Sequence, residues 1–147
     1  MTRRVVTGHA AGKAVVLHDG PAPNVKVRPG SGLVSTLLWA TDESPADLAG
    51  SADRAAREIG IPPPRNGSIF RVVDFPPGAK GEMHRTPSVD YAVVLEGEID
   101  MLLPDAVVHL GAGDVLVQQG TNHAWVNRGA VNCRIAFVLI DAKSPEA

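Results

Sequence analysis

Apolar and polar residues alternate along this chain in short runs broken by glycine and proline, a period-two pattern that marks half-buried strands. Residues 3–7 and 13–18 read as a first pair of strands, with the turn signal His18-Asp19-Gly20-Pro21 after them. Residues 24–28 alternate valine with polar side chains, and 33–41 form a stronger strand that carries Trp39. Residues 68–75 give a further strand, stopped by Pro76-Pro77-Gly78. Strands then follow at short intervals, at 90–95, 99–103, 107–110, 114–117, 124–126 and 134–140. The pattern changes between 42 and 64. There Ser44 suits a helix cap and Pro45 a first helical position, and the alanine-rich 52–59 predicts one short helix. Gly60 and Pro62-Pro63-Pro64 would end it. An insertion of this length is expected either over one mouth of a barrel or against a partner subunit.

Composition agrees with many strands and turns: 15 glycines and 12 prolines in 147 residues, with a single helical segment, favour an all-β sandwich or barrel. The length suits one domain, residues 1–147, with a core of its own. A formal net charge of −2 without a Lys/Arg cluster argues against a nucleic-acid partner. No apolar run approaches the ~18–20 residues that span a membrane. The first twenty residues have no continuous apolar stretch of the kind a signal peptide needs, so a cytoplasmic location is the default expectation. Cys133, the only cysteine, excludes an internal disulfide and sits in an apolar run where it reads as a small buried hydrophobe.

The candidate chemistry lies in residues 78–97, Gly-Ala-Lys-Gly-Glu-Met-His-Arg-Thr-Pro-Ser-Val-Asp-Tyr-Ala-Val-Val-Leu-Glu-Gly. In an extended chain His84, Thr86, Ser88 and Asp90 share one face, continued by Ala92 and Val94 as apolar core. That arrangement suits a polar cluster at the mouth of a barrel. His123 opens a second run and shares its face with Trp125 and Asn127. Neutral imidazoles and a carboxylate are ligands for Fe, Mn, Ni, Cu or Zn, and two histidines with one acid leave positions open for water or substrate. His84, Asp90 and His123 are therefore the candidate metal ligands. A metal-free polar pocket, or an Asp90 that only ties down residues 85–89, are the other readings of the same residues. Thr86, Trp125 and Gln118 are candidate substrate-pocket residues, Trp125 as an aromatic wall. Asn127 is expected to fix the turn at Arg128-Gly129. Tyr91 falls on the outer face, and His9, His18 and His109 have no partner at a ligand spacing.

These residues resemble the two motifs of the cupin family. In the first, G-x5-H-x-H-x3-4-E-x6-G, Gly78, His84, Asp90 and Gly97 fall on the pattern, with Thr86 in place of the second histidine and Asp90 in place of glutamate. In the second, G-x5-P-x-G-x2-H-x3-N, Gly120, His123 and Asn127 match, Gln118 stands for proline, and the run from Gly113 is one residue short. The 15 residues from 98 to 112 between the motifs suit small single-domain bacterial cupins. The resemblance covers about residues 68–141, leaving 1–67 as N-terminal strands and the helical, proline-rich insertion. It implies an all-β jelly-roll barrel (a double-stranded β-helix), often a homodimer, with a divalent metal ion held by the motif residues. Two of those are altered here: a threonine hydroxyl is a poor ligand, and aspartate reaches ~1.5 Å less than glutamate. The function implied is a metal-dependent enzyme acting on a carbonyl-, carboxylate-bearing or aromatic, polyketide-like small molecule by decarboxylation, dioxygenation, isomerisation or cyclisation. If the ion is lost, His84 or His123 becomes the proton carrier, or the barrel binds a small ligand without catalysis.

Overall fold

The computed structural model describes residues 1–146. Among them are eleven strands and no helix. They are β1 (Arg3–Ala10), β2 (Lys13–Pro21), β3 (Asn24–Val27), β4 (Val34–Thr41), β5 (Ser68–Phe75), β6 (Ser88–Glu96), β7 (Glu98–Leu103), β8 (Ala106–Gly111), β9 (Val115–Gln119), β10 (Ala124–Val126) and β11 (Cys133–Asp141). Each falls where the alternation predicts a strand. A six-stranded antiparallel sheet in the order β3-β4-β5-β11-β6-β9 faces a three-stranded sheet, β10-β7-β8, and β1 and β2 form a separate hairpin. This is the jelly-roll barrel expected from the motifs.

The inner face of the large sheet follows from residue parity. Cys133, Ile135, Phe137 and Leu139 of β11 are buried, as are Ala92 and Val94 of β6 and Ile69, Val73 and Phe75 of β5. They pack against Ile99, Met101 and Trp125 from the small sheet in one continuous core. Gly97, in the turn from β6 to β7, sits at φ +75°, and a Cβ there would lie 2.4 Å from the Asn132 carbonyl oxygen. Only glycine lets that turn pass under the start of β11. Asn127 is fully buried and does what its position suggests: its Oδ1 accepts from the Gly129 N–H, and its Nδ2 donates to the Phe75 and Val131 carbonyls.

The predicted helix over 52–59 is not formed. Its backbone groups find other partners instead. The Asn24 side-chain amide donates to the Ala55 and Arg57 carbonyls at 2.7 and 2.9 Å. Asp53 accepts the Ala55 N–H and is itself gripped by Arg4 of β1 at 2.6 and 2.8 Å. Arg71 of β5 takes the Gly60 carbonyl at 2.7 Å. A segment this short, closed off by Gly60 and three prolines, gains little from helix nucleation, so tertiary hydrogen bonds decide its path. The insertion becomes an irregular strap that runs past the barrel and brings Ile61 to the cavity described next.

Candidate functional site

The site is assembled by strand register. His84 and His123 lie just before β6 and β10 and form an isolated antiparallel bridge. Each N–H donates to the other's carbonyl at 2.9 Å, so both side chains leave on the same side. Their rings stand 4.6 Å apart between centroids. Asp90 pairs across the ladder with Gln118 of β9 and with Leu139 of β11, which sets carboxylate and amide side by side on the inner face.

All six sequence-predicted residues, His84, Thr86, Asp90, Gln118, His123 and Trp125, line one cavity of about 120 Å³. Its apolar wall comes from Leu33, Ile61, Val73, Phe75, Phe137 and Leu139. Trp125 meets the His123 ring edge-on at 5.9 Å and Phe137 at 5.8 Å, so it serves both as packing and as a wall. Three further residues reach the cavity that sequence reasoning passed over: Arg28, Ser35 and Arg71. The signal for Arg71 was available. It alternates with Ile69, Val73 and Phe75, and a cation on an otherwise apolar face is a local inconsistency of the sort functional sites carry.

The two imidazoles are oriented alike. His84 Nδ1 lies 3.0 Å from the Glu82 carbonyl and His123 Nδ1 lies 2.9 Å from the Thr121 carbonyl. A carbonyl can only accept, so in each ring the Nδ1 carries hydrogen and the neutral ring presents its Nε2 as an acceptor. Burial pulls His123 below its ordinary value, with the neighbouring His84 adding to this and the Thr121 carbonyl and Asp90 opposing it. The neutral, lone-pair-bearing form is therefore favoured.

Asp90 is placed differently. Ser88 Oγ donates to one of its oxygens at 2.6 Å and Gln118 Nε2 to the other at 3.1 Å. The same Gln118 Nε2 lies 3.4 Å from His123 Nε2, and its Oε1 accepts from Thr121 Oγ1 at 3.3 Å. A metal site thus meets a divided answer. The imidazoles fit, because the Glu82 and Thr121 backbone carbonyls fix each ring with Nε2 outward, as metal-binding histidines require. The carboxylate is more constrained, since each oxygen already accepts from a neutral donor, which leaves it spare lone pairs but sets its direction. Among the described residues no group of three His, Cys, Asp or Glu is placed to hold one ion.

The remaining histidines lie away from the cavity. His9 is exposed on β1 and His18 is half-buried on β2. His109, exposed on β8, sits between Asp100 at 2.6 Å and Glu98 at 3.2 Å, and these carboxylates raise its pKa. Cys133 is wholly buried, and burial pushes its thiol up to about 11, which leaves it unreactive at neutral pH. Among the described residues no helix is long and apolar enough to cross a membrane.

Fold and site together define a jelly-roll barrel with an inward histidine pair. The model of the cupin domain family matches residues 71–140. The chain is 33% identical over 147 residues to a cupin-domain-containing oxidoreductase, srdD, of Neurospora crassa, covering 95% of this chain and 75% of that protein. It belongs to the cupin superfamily. It is also 44% identical over 117 residues to the phomopsin biosynthesis cluster protein C' of Diaporthe leptostromiformis, covering 75% of this chain. The chain spans 62% of the length of that relative. These relatives are fungal, whereas the spacing between the motifs points to small bacterial cupins. Among solved structures, the cupin domain of Schizosaccharomyces pombe Cnp3 superposes with a TM-score of 0.62 at 14% identity, over 96% of this chain and 88% of that one. An RmlC-like cupin from Shewanella frigidimarina superposes with a TM-score of 0.53 at 16% identity, over 84% of this chain and 88% of that one. At such identities the likeness is one of fold.

Proposed function

We propose that this chain is a small-molecule enzyme whose chemistry centres on His84 and His123 and depends on a divalent ion that they hold. The substrate would be a carbonyl- or carboxylate-bearing or aromatic compound lodged in the cavity between Trp125, Phe75 and Phe137. The observation that carries this reading is the matched anchoring of both Nδ1 atoms, which leaves two Nε2 lone pairs on one cavity. When bound, an ion such as Fe, Mn, Ni, Cu or Zn supplies Lewis acidity, and the redox-active ones an electron-transfer couple. The residues themselves do the rest. Trp125, Phe75 and Phe137 grip a planar body and exclude water, and Thr86 offers a hydroxyl to a polar substituent; only without the ion would an Nε2 be available as general base. The oxidoreductase name of the Neurospora relative and the biosynthesis-cluster name of the Diaporthe relative support an enzyme of secondary metabolism. The reaction would be one of those the cupin likeness implies: decarboxylation, dioxygenation, isomerisation or cyclisation.

A second reading, a non-catalytic cupin that binds a small ligand over a degenerate metal site, is favoured by the engaged carboxylate of Asp90 and by Thr86. Metal analysis of protein purified without chelator separates the two. Near-stoichiometric iron, manganese, nickel, copper or zinc that disappears in His84→Ala and His123→Ala is the expected result. Protein that carries no metal and takes none up on titration would sink the metal-dependent reading and leave the binding one.

A further inference from the structure

The cavity holds a cation that no carboxylate contacts: Asp90 lines the same cavity, but its oxygens accept from Ser88 and Gln118. Arg71 projects from β5 on the same face as Val73 and Phe75, and its row runs across the sheet through Phe137 to Ala92 of β6. Its Nη2 donates to the Gly60 carbonyl, a neutral partner, and its Nε is sealed from solvent with no hydrogen-bond partner at all. Among the described residues no carboxylate lies within ion-pair distance of Arg71 or of Arg28. Burial, reinforced by the like charge of Arg28 and opposed by Asp90, draws the Arg71 guanidinium down to about 10, so it remains a cation at neutral pH. A guanidinium withdrawn from water with no carboxylate in contact is costly to hold unless an anion completes it.

Arg28 stands on the solvent side and lines both this cavity and an adjoining one of about 210 Å³. That second cavity shares Ser35 and Arg71 with the first; Lys26 also lines it but is paired with Glu58. An anion approaching through it therefore meets positive charge before it meets the imidazoles. The inner cavity, at about 120 Å³, has room for roughly one ring, since an engineered cavity of about 150 Å³ takes up benzene. Its apolar wall suits a planar body behind a single charged group.

We propose that Arg71, assisted by Arg28, is the carboxylate-binding end of the cavity, and that its ligand is a small monocarboxylate of about one aromatic ring. The planar guanidinium matches a carboxylate geometrically as well as in charge. This rests on the reading above that the cavity is the ligand site, and it narrows the substrate class from carbonyl-bearing compounds in general to monocarboxylates.

The test is calorimetric binding of benzoate and of benzamide, its neutral isostere, to the full chain at pH 7. Benzoate is expected to bind at least tenfold more tightly. Arg71→Gln is expected to bring the two affinities close together by weakening benzoate alone. Should Arg71→Gln fail to fold, the exposed Arg28→Gln gives the same arm with a smaller loss, and the wild-type ratio stands without any variant. Equal affinities in the wild type, or no benzoate binding at millimolar concentration, would overturn the proposal. So would a benzoate preference that vanishes on chelation yet survives in Arg71→Gln, because the ligand would then be held by an ion. A preference that persists in chelated protein and in His84→Ala supports the arginine site even if the metal-dependent reading fails.

Discussion

Arg4 and Arg71 are both arginines reaching inward from strands, and the molecule treats them in opposite ways. Arg4, 9% exposed, lies bidentate on Asp53 at 2.6 and 2.8 Å and donates a further bond to the Leu38 carbonyl at 3.1 Å. Hydrogen bonding to that carboxylate outweighs burial and raises its pKa. Arg71 has one neutral carbonyl and no acid, and burial lowers its pKa. The first is a closed contact that binds the 42–67 strap to β1. The second is an open valence on a cavity. Burial of a charge alone does not distinguish a structural staple from a binding group. The partner does.

Truncating Arg4 gives the largest expected effect on stability. Arg4→Ala leaves Asp53 largely buried without its partner and frees the strap, and removal of one member of a buried pair costs about 3 kcal/mol or more. Urea denaturation followed by tryptophan fluorescence checks it. A loss below about 1 kcal/mol would show that the strap is held by Asn24 and Arg71 rather than by the ion pair.

Arg71→Met, set against that, is expected to change stability by no more than about 1 kcal/mol. The hydrogen bond to Gly60 is lost, at about 1 kcal/mol, while the desolvated charge that opposes folding goes with it. The same denaturation experiment reads it. Destabilisation as large as that of Arg4→Ala would make Arg71 a structural residue and erase the contrast between the two.

The contrast also explains how far the sequence could be read. Strand positions were legible because alternation reports burial directly: Cys133, Ile135, Phe137 and Leu139 spell out the inner face of β11 without help from any other part of the chain. The imidazoles were legible because their spacing repeats a known pattern, and the structure brings His84 and His123 onto one bridge. Asp90 was legible as an inward acid. Its engagement by Ser88 and Gln118 was not, since Gln118 comes from another strand and only the β6–β9 register puts it there. The strap was misread for a similar reason. Alanine-rich local propensity points to helix, and the side chains of Arg4 and Asn24, far away in sequence, take the carboxylate and backbone groups that a helix would use. What is written locally can be read locally, and partners that arrive through the fold cannot.

The smallest effect expected is on the acid side of the stability profile, and it bears on the paired arginine alone. The Arg4 guanidinium, helped by the Ala55 N–H, holds Asp53 below its ordinary value of 3.8, against the opposing pull of burial. A carboxylate whose folded pKa is depressed contributes stability that is fully present above the unfolded value. That contribution is lost as pH falls through the folded value, because the unfolded state binds the proton first. Asp53→Asn removes this dependence. The stability difference between wild type and Asp53→Asn is therefore expected to be constant from neutral pH down to about 4. Below that it should shrink as Asp53 protonates, as read by denaturant titrations at a series of pH values. Arg71→Met compared with wild type should show no such shrinkage, since no carboxylate pairs with Arg71. A common acid dependence of the two differences would mean that Arg71 has an acidic partner after all, with Asp90, whose charge already acts on it, as the candidate.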